Sequence, residues 1–313
     1  TRRQFCSSPM TYPTETVGIL GLGLIGGSLA RALRESGFSS KFIGYGYREP
    51  SLRRGVELVV IDDFTLELDQ LIERADILVV CAPTLVAADL VTQMLEKMQG
   101  SDNCPVITDA ASVKGNLLAA AKSVSGGTMP PRLVLGHPIA GSERSGVDAS
   151  DAGLFRDHRV ILTPEEGNDP QAVELVRAMW ASTGAEVVSM SVAEHDQVLA
   201  ATSHLPHVLA YALVDALAQA ESSEDIFRCA AGGFRDFTRI ASSDPVMWRD
   251  ISIANRDALL EAIDLFTDHL GQLRQAVEDG DAEGMQQTFT RAKAARDGFS
   301  AILAERGQSG KDG

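Results

Sequence analysis

The chain of 313 residues has no apolar run near the roughly 20 residues that a membrane-spanning helix requires; the run Ile77–Ala82 stops far short. Positive charge is scarce: 28 Lys and Arg face 43 Asp and Glu, a formal net charge of −15. Nucleic acids and anionic membrane surfaces both need neutralising cations, so neither is an expected partner. An anionic small molecule would need a local basic pocket. The four cysteines, at 6, 81, 104 and 229, form no C-x-x-C pair and no Cys/His cluster. Structural zinc is therefore not expected, and no metal site is read from the sequence. The N-terminal stretch has no apolar core of a secretory signal, and a reducing, cytoplasmic setting is the expectation. The numbering begins at Thr1, with no initiator Met. No internal repeat is visible.

What is present begins with glycine. Residues 17–29 read Val-Gly-Ile-Leu-Gly-Leu-Gly-Leu-Ile-Gly-Gly-Ser-Leu, with Gly21, Gly23 and Gly26 in G-x-G-x-x-G spacing. In a dinucleotide-binding loop the first glycine makes a tight turn and the second lets backbone approach a pyrophosphate. The third lets the following helix pack closely on the strand. The helix start then offers free N–H groups and partial positive charge to phosphate. The context suits this: Val17–Leu20 reads as a buried strand, and Ile25, Leu29 and Leu33 recur as one helix face. Gly21, Gly23, Leu24, Ile25 and Gly26 are the expected cofactor contacts, with Ala82 and Pro83 at a later strand end.

Strand-like segments at Val17–Leu20, Lys41–Tyr45, Asp76–Ala82, Val106–Asp109 and Arg132–Gly136 alternate with helical patterns. That alternation predicts a mostly parallel sheet wrapped by helices. Arg159–Thr163 and Glu186–Met190 extend this domain to about residue 190. Beyond Ser191 the strand signals end and helical patterns take over. The expected division is a Rossmann-type domain over 15–190 and an all-α domain over 191–305, with flexible ends at 1–14 and 306–313. Leu259, Ile263, Phe266, Leu270, Leu273 and Val277 alternate in steps of four and three, a narrow seam suited either to internal packing or to a subunit interface.

Chemistry-bearing residues gather in four places. The segment Ile43-Gly-Tyr-Gly-Tyr-Arg-Glu-Pro50 closes the second strand, where an acidic residue normally binds the adenosine ribose. Gly46 stands there instead. Arg48, two residues on, could pair with a 2′-phosphate and tilts the cofactor toward NADP; the alternative leaves Arg48 solvated and gives the ribose to Glu49. Gly136-His-Pro-Ile-Ala-Gly141 follows a strand, where a histidine can accept a proton from a substrate hydroxyl. His204 and His207 share a helix face, with Pro206 between them disturbing the helix. Arg235 and Arg239 lie one turn apart beside a double glycine. They suit carboxylate recognition, unless Asp236 or Asp244 claims them.

Gly21-x-Gly23-x-x-Gly26, Asp109-x-x-Ser112-x-Lys114, Gly136-His-Pro-Ile-Ala-Gly141, Glu194-His-Asp196, Ser203-His-Leu-Pro-His207 and Gly233-Phe-Arg-Asp-Phe-Thr-Arg239 occur in this order. Together they resemble the prephenate/arogenate (cyclohexadienyl) dehydrogenase family of tyrosine biosynthesis, from about Val17 to at least Trp248. The resemblance implies an α/β Rossmann-type domain followed by an all-α dimerisation domain, an architecture like that of 6-phosphogluconate dehydrogenase. It implies oxidative decarboxylation of prephenate or arogenate with hydride transfer to NAD(P)+, in a homodimer. By the same match His137 accepts the C4 hydroxyl proton, and Ser112 orients that hydroxyl or His137 and touches the cofactor. Arg239 holds a substrate carboxylate and His204 and His207 line the pocket. Glu143 gates or polarises the entrance, Asp196 pairs with an active-site cation, and Trp248 closes the pocket from a neighbouring subunit. Some relatives are fused to another enzyme of the pathway, and such a fusion is compatible with this chain. Two positions depart from the family: Gly46, where NAD-preferring members carry an acid, and Val59, where glycine is common. A β-hydroxyacid dehydrogenase is the competing enzyme reading. It would need a catalytic lysine in the helical half, where Lys293 is the only one between Ser191 and Gly310. A dinucleotide-sensing module is the non-enzymatic alternative.

Overall fold

The computed structural model describes residues 14–100, 104–141 and 144–309, with side chains to 300. Expectations for Glu143, and most of those for the two ends, lie outside the described residues. The chain divides into two compact units, 1–195 and 196–313.

The first unit opens β1 (Thr16–Leu20), α1 (Leu24–Glu35), β2 (Lys41–Tyr45), α2 (Glu49–Glu57), β3 (Asp63–Thr65), α3 (Leu68–Arg74), β4 (Ile77–Val80), α4 (Thr84–Met98), β5 (Val106–Asp109), α5 (Gly115–Val124) and β6 (Leu133–Val134). These six strands pair in parallel in the order β3-β2-β1-β4-β5-β6. The order reverses between β1 and β4, and ligands of such sheets bind beyond the strand ends at that crevice. The run Ile-Leu-Val-Val of β4 is buried on both faces, as a central parallel strand must be. Ile77 and Val79 face one core layer with Leu29, Leu33 and Phe42. Leu78 and Val80 face the other with Leu71, Val91 and Leu117.

A second, three-stranded sheet follows: β7 (Gly136–Pro138), β8 (Arg159–Leu162) and, after α6 (Pro170–Ser182), β9 (Glu186–Ser189). β7 runs antiparallel to β8, and β8 parallel to β9. The single strand expected over Arg132–Gly136 is thus two strands in two sheets. The break has a local cause. Gly136 gives its N–H to Asp109 Oδ1 (3.0 Å) and its C=O receives Lys114 Nζ (2.6 Å). Two side chains occupy the backbone edge that would otherwise pair with β5. β3 went unread because three residues carry too little alternation.

The division between the units, after His195, falls within α7 (Val192–Leu199). The second unit continues with a π-turn over Ala200–His204, α8 (Leu205–Ala218), α9 (Ser223–Arg228), α10 (Gly232–Thr238), a 3₁₀ turn over Arg239–Ser242, α11 (Pro245–Ala254), α12 (Arg256–Asp279) and α13 (Ala282–Ser309). α13 continues into the segment 306–313 expected to be flexible. The π-turn is where Pro206 makes itself felt. Proline has no N–H to give four residues back, and the N–H of Leu205 reaches instead to Ala200 O, five residues back. Along α12 the apolar seam loses cover with distance: Leu259 is buried, whereas Leu270 and Val277 are more than half exposed.

Val59 holds φ of 55°, in the left-handed region that disfavours branched side chains. It closes α2 in a Schellman turn, in which Val59 N–H reaches Val56 O (3.0 Å) and Val60 N–H reaches Gly55 O (2.9 Å). Its side chain is mostly exposed, so replacing it forfeits little packing. Val59→Gly is expected to raise unfolding free energy by about 1 kcal/mol, read as a higher urea midpoint; a lower midpoint would show that the turn is unstrained.

Candidate active site

The glycine loop lies at the β1/β4 crevice, and each glycine has a separate steric reason. Gly21 has φ of 98°, and a Cβ there would stand 2.6 Å from Cys81 O. At Gly26 a Cβ would stand 2.3 Å from Gly21 O and 2.9 Å from Ile19 Cγ2, so only glycine lets α1 come this close to β1. Gly23 differs: a Cβ there would meet nothing within 4 Å. Its surroundings leave room for an approaching group, directly before α1, where no side chain caps the free N–H groups. This is a cradle that fits a pyrophosphate. Leu24 and Ile25 open α1, while Ala82 and Pro83 follow β4 at the same crevice. The Cys81 thiol pKa is pushed up by burial and by the charge of Asp109, which leaves it a protonated packing group. Past β2, Arg48 is exposed and Gly46 borders open space, while Glu49 pairs with Arg53 (2.5 Å).

At the end of β5 the Asp-x-x-Ser-x-Lys motif becomes a buried clamp. Asp109 and Lys114 are both fully buried and ion-paired. Asp109 Oδ2 also accepts the N–H of Ala111 (2.9 Å), and the pair grips Gly136 from both its backbone groups. The residue so anchored directly precedes His137. Ser112 stands half-exposed on the turn between Asp109 and Lys114. His137 is 8% exposed, and its Nδ1 lies 2.9 Å from Nε2 of the fully buried His195 on α7. The rings meet edge to face, with centroids 5.1 Å apart. One ring nitrogen of this pair must donate and the other accept. His195, Asp109 and Lys114 belong to motifs quoted from the sequence, yet their spacing alone suggested no task for them.

In the second unit, His207 stacks on Trp248, with centroids 3.5 Å apart and planes at 19°. Its Nδ1–H donates to Ser203 O (2.9 Å). Burial pushes its pKa below the ordinary value; the Ser203 carbonyl works against this, and the positive charge of Arg239 works with it. His207 and Arg239 are therefore neighbours in one electrostatic environment. His204 is buried beside Asn255 and presents its edge to Trp248. Asp196 is buried at the start of the unit, and its backbone carbonyl accepts from Asn255 (2.8 Å). Arg235, by contrast, is exposed and pairs with the adjacent Asp236 (3.2 Å). Asn255 was missed in the sequence, where it reads only as a helix boundary. Lys293 lies exposed on α13, paired with Asp297 (2.5 Å), which removes the lysine that a β-hydroxyacid dehydrogenase would need. Among the described residues, no group of three or more His, Cys, Asp or Glu is placed to hold a metal ion, and no helix is long and apolar enough to cross a membrane.

Residues 29–189 match the model of the prephenate dehydrogenase nucleotide-binding domain, and residues 191–291 that of the prephenate dehydrogenase dimerization domain. The chain is 38% identical over 298 residues to prephenate dehydrogenase of Bacillus subtilis, covering 93% of this chain and 77% of that protein. It is 34% identical over 283 residues to cyclohexadienyl dehydrogenase of Zymomonas mobilis, covering 90% and 94%. Among solved structures it resembles prephenate dehydrogenase of Aquifex aeolicus in complex with hydroxyphenyl propionate and NAD+. There the TM-score is 0.84 at 35% identity, over 92% of this chain and 99% of that one.

The clamp makes a sharp energetic prediction. Lys114→Met leaves the Asp109 carboxylate buried without its counter-charge and is expected to cost about 3–5 kcal/mol of stability. Asp109→Leu combined with Lys114→Met removes both charges and is expected to recover part of that loss in urea unfolding. Equal midpoints for Lys114→Met and the parent would show that the pair is not the anchor of this strand end. With its fold, its site motifs and both domain matches in agreement, the chain belongs to the prephenate dehydrogenase family.

Proposed function

We propose that this chain is an NAD(P)-dependent oxidoreductase of tyrosine biosynthesis that oxidatively decarboxylates prephenate, arogenate or both, giving 4-hydroxyphenylpyruvate or tyrosine. The observation that carries the reading is the His137–His195 pair, seated on a strand end that the Asp109–Lys114 clamp fixes. The substrate ring bears a hydroxyl at C4 and a carboxylate at C1. NAD(P)+, when bound, supplies the acceptor for the hydride that leaves C4 as carbon dioxide leaves C1. Gly21, Gly23, Leu24, Ile25, Gly26, Ala82 and Pro83 would hold it, with Ser112 beside the reacting end. Gly46 and Arg48 favour a 2′-phosphate and hence NADP.

His137 takes the hydroxyl proton on Nε2. For that, its Nδ1 must carry a hydrogen and donate it to His195 Nε2. The imidazolium formed on proton transfer is then steadied by the His195 lone pair, the logic of a base oriented by a third group. Ser112 orients the hydroxyl or the His137 ring. Arg239 holds a carboxylate in an otherwise acidic protein, and the neutral His207, stacked on Trp248, lines the pocket with His204. Asp196 pairs with a cation of the site and Glu143 guards its entrance. In this reading the division near residue 190 separates cofactor from dimerisation functions. The exposed seam of α12 is the dimer interface, and Trp248, stacked on His207 of its own chain, walls the same pocket as His207 and His204. The setting is cytoplasmic.

Following reduced cofactor with both substrates and both cofactors tests the reaction. Turnover of at least one substrate is expected, with NADP at least as effective as NAD; no turnover of either would overturn the reading. His137→Asn is expected to lower kcat by on the order of 10²–10⁴-fold with cofactor affinity preserved, and a near-parental kcat would remove His137 from proton transfer. For Arg239→Gln, loss of a charge-assisted pair of about 1.5–3 kcal/mol corresponds to a KM raised roughly ten- to hundredfold. An unchanged KM would assign Arg239 to structure.

A further inference from the structure

Asn255 occupies the junction between α11 and α12 and is 5% exposed. Its carboxamide orientation follows from its partners. The Asp196 carbonyl can only accept, so the atom 2.8 Å away is Nδ2, donating one hydrogen. The same nitrogen lies 3.1 Å from His204 Nδ1. An amide nitrogen has no lone pair to offer, so His204 Nδ1 accepts the second hydrogen, and the proton of the neutral ring sits on Nε2. A further proton on Nδ1 would point at the Asn255 N–H and break the bond.

His207 has the opposite arrangement. Its Nδ1 faces the Ser203 carbonyl and must donate, so its Nε2 is an acceptor in the neutral ring. The neutral form is favoured by burial and by Arg239. The π-turn ahead of Pro206 separates the two environments: His204 meets Asn255, while His207, three residues on, lies over Trp248.

We propose that Asn255 is a positioning residue that fixes the His204 proton on Nε2, so that His204 and His207 offer a substrate opposite edges, one N–H donor and one lone pair. The inference rests on the proposed reaction for its substrate and on donor–acceptor accounting for its geometry. His204 then suits an oxygen acceptor, carboxylate or keto. His207 suits a group that donates, hydroxyl or ammonium. Neither adds charge, and the positive charge that meets an anionic substrate here is that of Arg239.

The test uses the full chain labelled with ¹⁵N-histidine. Long-range ¹H–¹⁵N spectra at neutral pH are assigned by the signals lost in His204→Gln and His207→Gln. The expected pattern is Nε2–H for His204 and Nδ1–H for His207, and Asn255→Asp is expected to move the His204 proton to Nδ1. In kinetics, Asn255→Ala is expected to raise KM about tenfold, the effect of one lost hydrogen bond, with kcat changed far less. In the His204→Gln background the same substitution should leave KM nearly unchanged. A proton on Nδ1 of His204 in the parent, or equal effects of Asn255→Ala in both backgrounds, would overturn the proposal. The parent spectrum decides even where a variant fails to fold. Were the parent inactive on both substrates, the reaction would fall while the spectrum still decided the tautomer.

Discussion

The buried ion pair of Asp109 and Lys114 is the constraint on which the first unit's chemistry depends. Two charges withdrawn from water are costly unless their remaining hydrogen-bonding capacity is met, and here it is met by backbone. Asp109 takes N–H groups from Ala111 and Gly136, and Lys114 gives a hydrogen to Gly136 O. The same contacts end one sheet, begin another, and hold the residue before His137 at both its polar groups. The energetic debt of burying the pair and the placement of the imidazole are thus one arrangement.

From that anchor outward, the protein works by fixing which hydrogen lies where. His195 takes Nδ1 of His137, Ser203 fixes Nδ1–H on His207, and Asn255 claims Nδ1 of His204. Histidine is the side chain whose hydrogen placement is least determined by itself; at His207 and His204 the neighbour decides it, and between His137 and His195 one hydrogen is shared, which the proposed proton transfer requires on His137 Nδ1. With a bound nicotinamide supplying the redox chemistry, the protein's remaining work is positioning and polarisation, and settled tautomers serve that work.

Much of this was legible in the sequence because it rests on local rules. The glycine loop announces itself through steric demands that no other residue meets, and β4 through an unbroken apolar run. Pro206 announced a disturbance, though not its form as a π-turn. Val59 stood out where the family commonly has glycine, and the left-handed backbone there gives the reason. Other features were illegible for a physical reason: they join residues far apart in the chain. Gly136 meets Asp109 27 positions away, His137 meets His195 58 positions away, and Asn255 meets His204 51 positions away. Spacing within a motif carries no record of such partners. Arg235 and Arg239 looked alike in sequence and diverged only in space, where Asp236 claimed the former.

The central claim is that His137, held by the clamp and by His195, faces the oxygen from which the proton is removed. A crystal structure of the chain with oxidised cofactor and 4-hydroxyphenylpyruvate tests it most directly. The account places the phenolic oxygen within about 3 Å of His137 Nε2, hydrogen-bonding distance, with Nδ1 still on His195. A product oxygen held by other groups, with the His137 ring turned away from it, would contradict the account.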